Sequence, residues 1–217
     1  MCALKHPFLV GVTGGLGSGK STVCRFLAEM GCALFDADRV ARELQCSDPS
    51  IIAGIRRLFG DSVYSFDAEG LPVLDRRRIA GEVFSDPEKL RALNSLVHPR
   101  VYDAFHAMEE QAAREGRQVL VKEAAILFES GRTSGLDLIV VVDADKELRV
   151  KRALRKGLGT REDILGRIAS QWPQEELMKR AGYVIRNEGS LEELRAETEK
   201  LYAFILREAA VSAGNSS

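Results

Sequence analysis

Gly14 to Ser21 read GGLGSGKS, which satisfies G-x-x-x-x-G-K-[ST] in full. Four glycines within these first six residues bury almost no side chain and cost backbone entropy to order. The segment is therefore poorly suited to a core and well suited to wrapping a ligand. The glycines let the backbone curl so that successive N–H groups face phosphate oxygens, and the N-terminus of a following helix adds partial positive charge. Gly15, Gly17, Ser18, Gly19, Lys20, Ser21 and Thr22 are the residues expected around a nucleotide's phosphates. Lys20 would reach the β- and γ-phosphates of ATP, and the Ser21 hydroxyl would ligate Mg2+. The bland alternative is a glycine-rich turn into an amphipathic helix, but FLVGVT before the loop and the helical pattern behind it fit the phosphate-loop reading.

LFDADRVAREL supplies the next chemistry. In an open parallel sheet, ligands collect outside the carboxyl ends of the strands, which brings Asp36 and Asp38 toward the loop. Acids at i and i+2 share a face of an extended chain. One can order a metal's water shell while the other accepts a hydroxyl proton from a phosphoryl acceptor. Either one also reads as a plain cap for a helix starting at Arg39. A phosphate loop by itself does not choose a reaction. The chain has no N-K-x-D or T-K-x-D sequence to read guanine, which counts against a GTPase switch.

The elements that must position these groups alternate. FLVGVT (8–13), ALFDA (33–37), QVLVKEA (118–124), DLIVVVDA (137–144) and GYVIRN (182–187) are short, β-branched and largely apolar on both faces, as strands buried in a parallel sheet must be. Helical patterns lie between them, among them STVCRFLAEMG and a C-terminal helix that Ser190 can cap with Glu193 three residues on. From about Arg39 to Gly116 only amphipathic helical pieces appear, an insertion far longer than an ordinary strand-to-helix connection. After the fourth strand, seven Lys or Arg fall between Lys146 and Arg161. Such a run is either a solvated face or a cationic lid. Helical insertion and basic segment are the two parts a small-molecule kinase needs for its acceptor and its lid.

The composition, 45% hydrophobic and 29% charged with a formal net charge of -1, gives no whole-chain pull toward nucleic acid or membrane. Cys2, Cys24, Cys32 and Cys46 form no C-x-x-C pair and read as reduced thiols of a cytoplasmic protein, with Cys24 and Cys32 in the core. The N-terminal apolar run is too short for a membrane helix, and no secretory leader is recognised. VSAGNSS reads as a disordered tail.

Six motifs in order resemble those of the dephospho-coenzyme A kinase family. They are TGGLGSGKST (Thr13–Thr22), the D-A-D of Asp36 to Asp38, RRRIAGEVF from Arg76, LNSLVHP (Leu93–Pro99), EAAILFE from Glu123 to Glu129, and RVKRALRK with AGYVIRN. The departures are Ile79 for Leu, Ala125 for the usual Pro, Gly182 for Asp, Arg149 for a common Gln, and Lys156 for a common Arg. Lys156 keeps the charge but not the planar two-point grip of a guanidinium.

The resemblance implies an α/β fold: a three-layer P-loop kinase core with a parallel sheet (residues 1–38, 117–145 and 166–210), a helical substrate-binding insertion (39–116), a helical lid (146–165) and a tail (211–217). It implies transfer of the γ-phosphoryl of ATP to the 3′-hydroxyl of dephospho-CoA. The roles it suggests are Asp38 as base, Asp36 in the metal's surroundings, and Arg152, with Arg149 or Arg155, closing over the phosphoryl group. Glu123 would place magnesium or the acceptor. Arg76 and His98 would meet the acceptor's pyrophosphate, although a lone His also reads as structural. The expected partner is the small-molecule substrate alone, in a monomer or weak homo-oligomer. Two other readings stay open: a kinase for a nucleoside monophosphate or sugar acid on the same core, and a nucleotide-gated binding module without chemistry.

Overall fold

The computed structural model describes residues 6–128, 131 and 133–215, with the side chains of Phe84, Ser85 and Asn215 left out. Along the chain, β1 (Phe8–Thr13) leads through the glycine loop into α1 (Lys20–Glu29), then β2 (Ala33–Asp36). Next come α2 (Ala37–Ser47), α3 (Pro49–Phe59), a 3-10 turn at Asp61–Val63, β3 (Tyr64–Phe66), β4 (Pro72–Leu74), α4 (Arg76–Ser85) and α5 (Pro87–Arg114). The chain then forms β5 (Val119–Glu123), β6 (Leu138–Asp143), α6 (Lys146–Arg155), α7 (Arg161–Ala169), α8 (Gln174–Lys179), β7 (Tyr183–Arg186) and α9 (Leu191–Asn215). It divides into two compact units, residues 1–36 with 108–217, and Ala37–Ala107.

In the first unit, five parallel strands stand in the order β2-β5-β1-β6-β7, the five that the apolar runs predict. One face is covered by α1 and α9, where Val23, Cys24, Phe26, Leu27, Leu201 and Ile205 meet Val10, Val12, Val121, Val140 and Val142. α8 packs against β6. Because strand side chains alternate, Val119 and Val121 point at α1 and Glu123 continues their row to the carboxyl end of β5. α9 starts with the expected reciprocal cap: Ser190 N donates to Glu193 Oε2 at 2.9 Å and Glu193 N to Ser190 Oγ at 3.2 Å.

The second unit has its own core of Ile51, Ile55, Phe59, Val63, Tyr64, Leu74, Ile79, Leu93 and Val97. Asp48 caps α3 by accepting from Ser50 N at 2.8 Å and Ile51 N at 3.1 Å, with Pro49 at the first helical position.

Four expectations change. The all-helical insertion contains a hairpin, β3 paired antiparallel with β4, whose three-residue strands are too short to show an alternating pattern. The unit boundary falls after Ala107, inside α5, and not at residue 116. The basic segment is two helices, and the second runs past residue 165 to Ala169. Finally, the supposed tail is helical from Val211 to Asn215 as the end of α9, while Ser216 and Ser217 lie outside the described residues, as does Glu129 of the EAAILFE motif.

Candidate active site

β1 delivers the chain to the carboxyl edge of the sheet, and residues 14–19 cross it into α1. Gly19 is the residue before the helix, at φ 104°, a conformation other residues adopt only with strain, and a Cβ there would collide with Asn187 Nδ2. At Gly15 an added Cβ would push against the Arg149 guanidinium, which packs on the loop there. Gly17 turns beside the Arg149 carbonyl. Ser18 is fully buried, its carbonyl accepting from Asn187 Nδ2 at 2.7 Å and its Oγ without a hydrogen-bond partner.

Lys20 opens α1 and is almost buried. Its ammonium folds back into the loop, donating to Gly14 O at 2.8 Å and Gly15 O at 3.2 Å. A helix N-terminus carries partial positive charge and is where an anion gains most from backbone amides. Ser21 Oγ donates to Glu123 Oε1 at 2.7 Å. Thr22 closes the first turn, its amide on Gly19 O at 3.0 Å.

Asp36, the last residue of β2, stands opposite Glu123 in the strand register. One turn beyond Ser21, the Cys24 thiol is fully buried. Burial pushes its pKa well above the ordinary value and the carboxylate of Glu123, to which it hydrogen-bonds, pushes it further, against a smaller pull from Lys20. The thiol thus stays protonated and donates toward Glu123.

A hydroxyl and two carboxylates are hard oxygen donors of the kind Mg2+ accepts. Among the described residues no group of three or more His, Cys, Asp or Glu could hold a metal.

α6 contributes two arginines to different tasks. Arg149 is 4% exposed and donates through Nε to Leu16 O at 3.1 Å, so it is wedged against the loop. Burial lowers its pKa, opposed by Asp143 and Asp145. Arg152 reaches Asn187, Nη1 to the backbone O at 3.0 Å and Nη2 to Oδ1 at 3.2 Å. Burial lowers the Arg152 pKa too, with Arg155 adding to the effect. α6 and α7 pack through Val150, Ala153 and Ile164, with Leu16 of the loop against them.

The polar residues that hold the loop were not singled out by sequence. Gln171 accepts from Leu16 N and Gln174 from Gly15 N, both at 2.8 Å, and Asn187 ties Ser18 to Arg152. Asn187 was visible only as the end of a strand motif. Gln171 lies in the connection between α7 and α8 and Gln174 at the very start of the six-residue α8, where there is no periodic signal.

The other expected residues belong to the second unit. Asp38 lies in the first turn of α2, which starts directly at Ala37, two residues before the expected Arg39. The extended i, i+2 geometry expected for Asp36 and Asp38 is thus replaced by a strand end and a helix start, where an acid is favoured by the helix dipole. Arg76 opens α4, and its guanidinium is engaged at the end of α2, with Gln45 Oε1 and Arg42 O each at 2.9 Å. His98 is half-buried on α5, immediately before Pro99.

The sequence model of the dephospho-CoA kinase family matches residues 8–193. A dephospho-CoA kinase of Chlorobium luteolum is 58% identical over 205 residues, covering 94% of this chain and 94% of that protein. One from Leptospira interrogans is 39% identical, covering 93% and 95%. Among solved structures, TT1252 from Thermus thermophilus superposes with a TM-score of 0.76 at 36% identity, covering 91% of this chain and 97% of that one. The dephospho-CoA kinase from Campylobacter jejuni gives 0.66 at 25%, covering 92% and 97%.

Proposed function

The chain belongs to the dephospho-CoA kinase family, and we propose that the residues placed above carry out its reaction, transfer of the γ-phosphoryl of ATP to the 3′-hydroxyl of dephospho-CoA. The observation that carries the assignment of roles is the meeting of Lys20, Ser21 and Glu123 at the carboxyl ends of β1 and β5.

Phosphoryl transfer rests on positioning and charge neutralisation. The loop from Gly15 to Thr22 holds the phosphates with backbone N–H groups. Lys20, held by the loop carbonyls, turns its remaining donor and its charge to the β- and γ-phosphates. Ser21, with Glu123 and Asp36 behind it, would hold Mg2+, which when bound would neutralise phosphate charge. Arg152 moves its two-point contact from Asn187 to the transferring group, a task suited to a planar guanidinium. Asp38 accepts the proton of the acceptor hydroxyl. His98 and Arg76 meet the acceptor's pyrophosphate. No described helix is long and apolar enough to cross a membrane. A cytoplasmic enzyme that acts as a monomer or weak homo-oligomer is part of the same proposal.

ADP release from the purified protein, measured with and without dephospho-CoA, tests the reading. Acceptor-dependent release supports it. Release driven instead by nucleoside monophosphates would replace the substrate, and ATP binding without release would make the chain a sensor.

A further inference from the structure

Two neighbouring peptide planes in the loop are each gripped from both sides. The first joins Gly14 to Gly15: its carbonyl accepts from Lys20 Nζ at 2.8 Å, and its N–H donates to Gln174 Oε1 at 2.8 Å. The second joins Gly15 to Leu16: its carbonyl accepts from Lys20 Nζ at 3.2 Å and from Ser18 N at 3.1 Å, and its N–H donates to Gln171 Oε1 at 2.8 Å. A trans peptide is planar with N–H and C=O on opposite sides, so fixing one fixes the other.

Each glutamine is itself anchored. Gln174 Nε2 donates to Asp143 Oδ1 at 2.8 Å, at the end of β6, and Gln171 Nε2 to Ala125 O at 3.4 Å. Because those acceptors require the NH2 end, the carbonyl end of each side chain faces the loop. Gln171 lies in the connection between α7 and α8, and Gln174 is the first residue of α8.

We propose that Gln174, assisted by Gln171, is a positioning residue for Lys20. It holds the Gly14–Gly15 peptide so that its oxygen faces the ammonium. Glycine makes rotation of this peptide cheap, and a rotated peptide would swing a carbonyl oxygen toward the space reserved for phosphate. The glutamine blocks that rotation, keeps Lys20 poised and keeps the cradle free of a competing negative dipole. The inference rests on the reading of residues 14–22 as the phosphate loop.

The test is a double-mutant cycle on MgATP affinity, measured by calorimetry on the full chain. Gln174→Met removes the acceptor at similar size and is expected to weaken MgATP binding about tenfold, the loss of one well-aligned hydrogen bond. At saturating ATP, kcat falls less than kcat/KM. In a Lys20→Ala background the same Gln174→Met change is expected to cost clearly less, because the part of its effect that passes through Lys20 is already gone. A parallel series with Gln171→Met covers a poorly folding Gln174 variant, judged by thermal denaturation. Equal losses in both backgrounds, or no loss in the parent, overturn the proposal while leaving the phosphate loop in place. Failure of the parent itself to bind MgATP overturns both.

Discussion

Ser21 Oγ and Glu123 Oε1, 102 residues apart in the chain, meet at 2.7 Å across the α1–β5 interface. The pair joins the first helical turn after the phosphate loop to the end of a sheet strand. Replacing Glu123 by Gln keeps the size and removes the charge. The Mg2+ concentration for half-maximal ADP release is expected to rise about 10- to 100-fold, the usual cost of disturbing a group that orients a metal ligand. A magnesium titration checks this, and an unchanged midpoint would detach Glu123 from the metal.

Lys20→Ala is expected to abolish turnover. The fold should persist by far-UV circular dichroism, with the melting temperature lowered because Gly14 O and Gly15 O lose the ammonium they accept from. Activity retained in a folded Lys20→Ala protein would remove the loop from the chemistry.

Asp38→Asn should lower kcat by about 10²-fold or more if the carboxylate takes the hydroxyl proton. Pre-steady-state ADP formation separates this from a change in acceptor affinity. A loss confined to KM for dephospho-CoA would make Asp38 a positioning group.

Arg152→Ala should lower kcat by about 10³-fold, in line with other arginines that neutralise a transferring phosphoryl group. Arg152→Lys should recover little of this, since an ammonium cannot make the paired contact now spent on Asn187. Full activity in the lysine variant would show that charge alone suffices.

Stability should fall in alkali. Burial raises the Cys32 thiol from 9.0 to about 12, and burial raises the Tyr64 phenol from 10.0 to about 12. The native state therefore holds protons that the unfolded chain releases, and the slope of stability against pH is negative there. The contribution is intact below about pH 9 and is lost as pH climbs toward about 12. Urea titrations at about pH 8, 9 and 10 check the slope, which Cys32→Ala should make shallower.

The sheet was legible because its five strands are apolar on both faces, so FLVGVT or DLIVVVDA has little else to be. The loop was legible because its chemistry is local in sequence. The hairpin around Asp67 was not, since three-residue strands carry no period. Asp36 and Asp38 were found as a pair but misjudged in geometry, because a chain stays extended past a strand end only if the next residues do not start a helix, and here Ala37 does. Arg149 and Arg152 sit at the same helical spacing, and only packing against Leu16 decides that the first is buried. Gln171, Gln174 and Asn187 reach the loop across 155 to 169 residues. Side chains that satisfy distant backbone groups leave no pattern along the chain.

β1 lies between β5 and β6, and its first residue, Phe8, pairs with Val119, so neither neighbour exists until more than half of the chain is available. Chain closure over that span is slow for an extended coil. The unit Ala37–Ala107, with its own apolar core, can collapse locally and shorten the effective loop that β1 and β5 must close. During synthesis, β1 emerges well before β5 and waits unpaired. Its six consecutive buried residues stay open to wrong partners until β5 emerges.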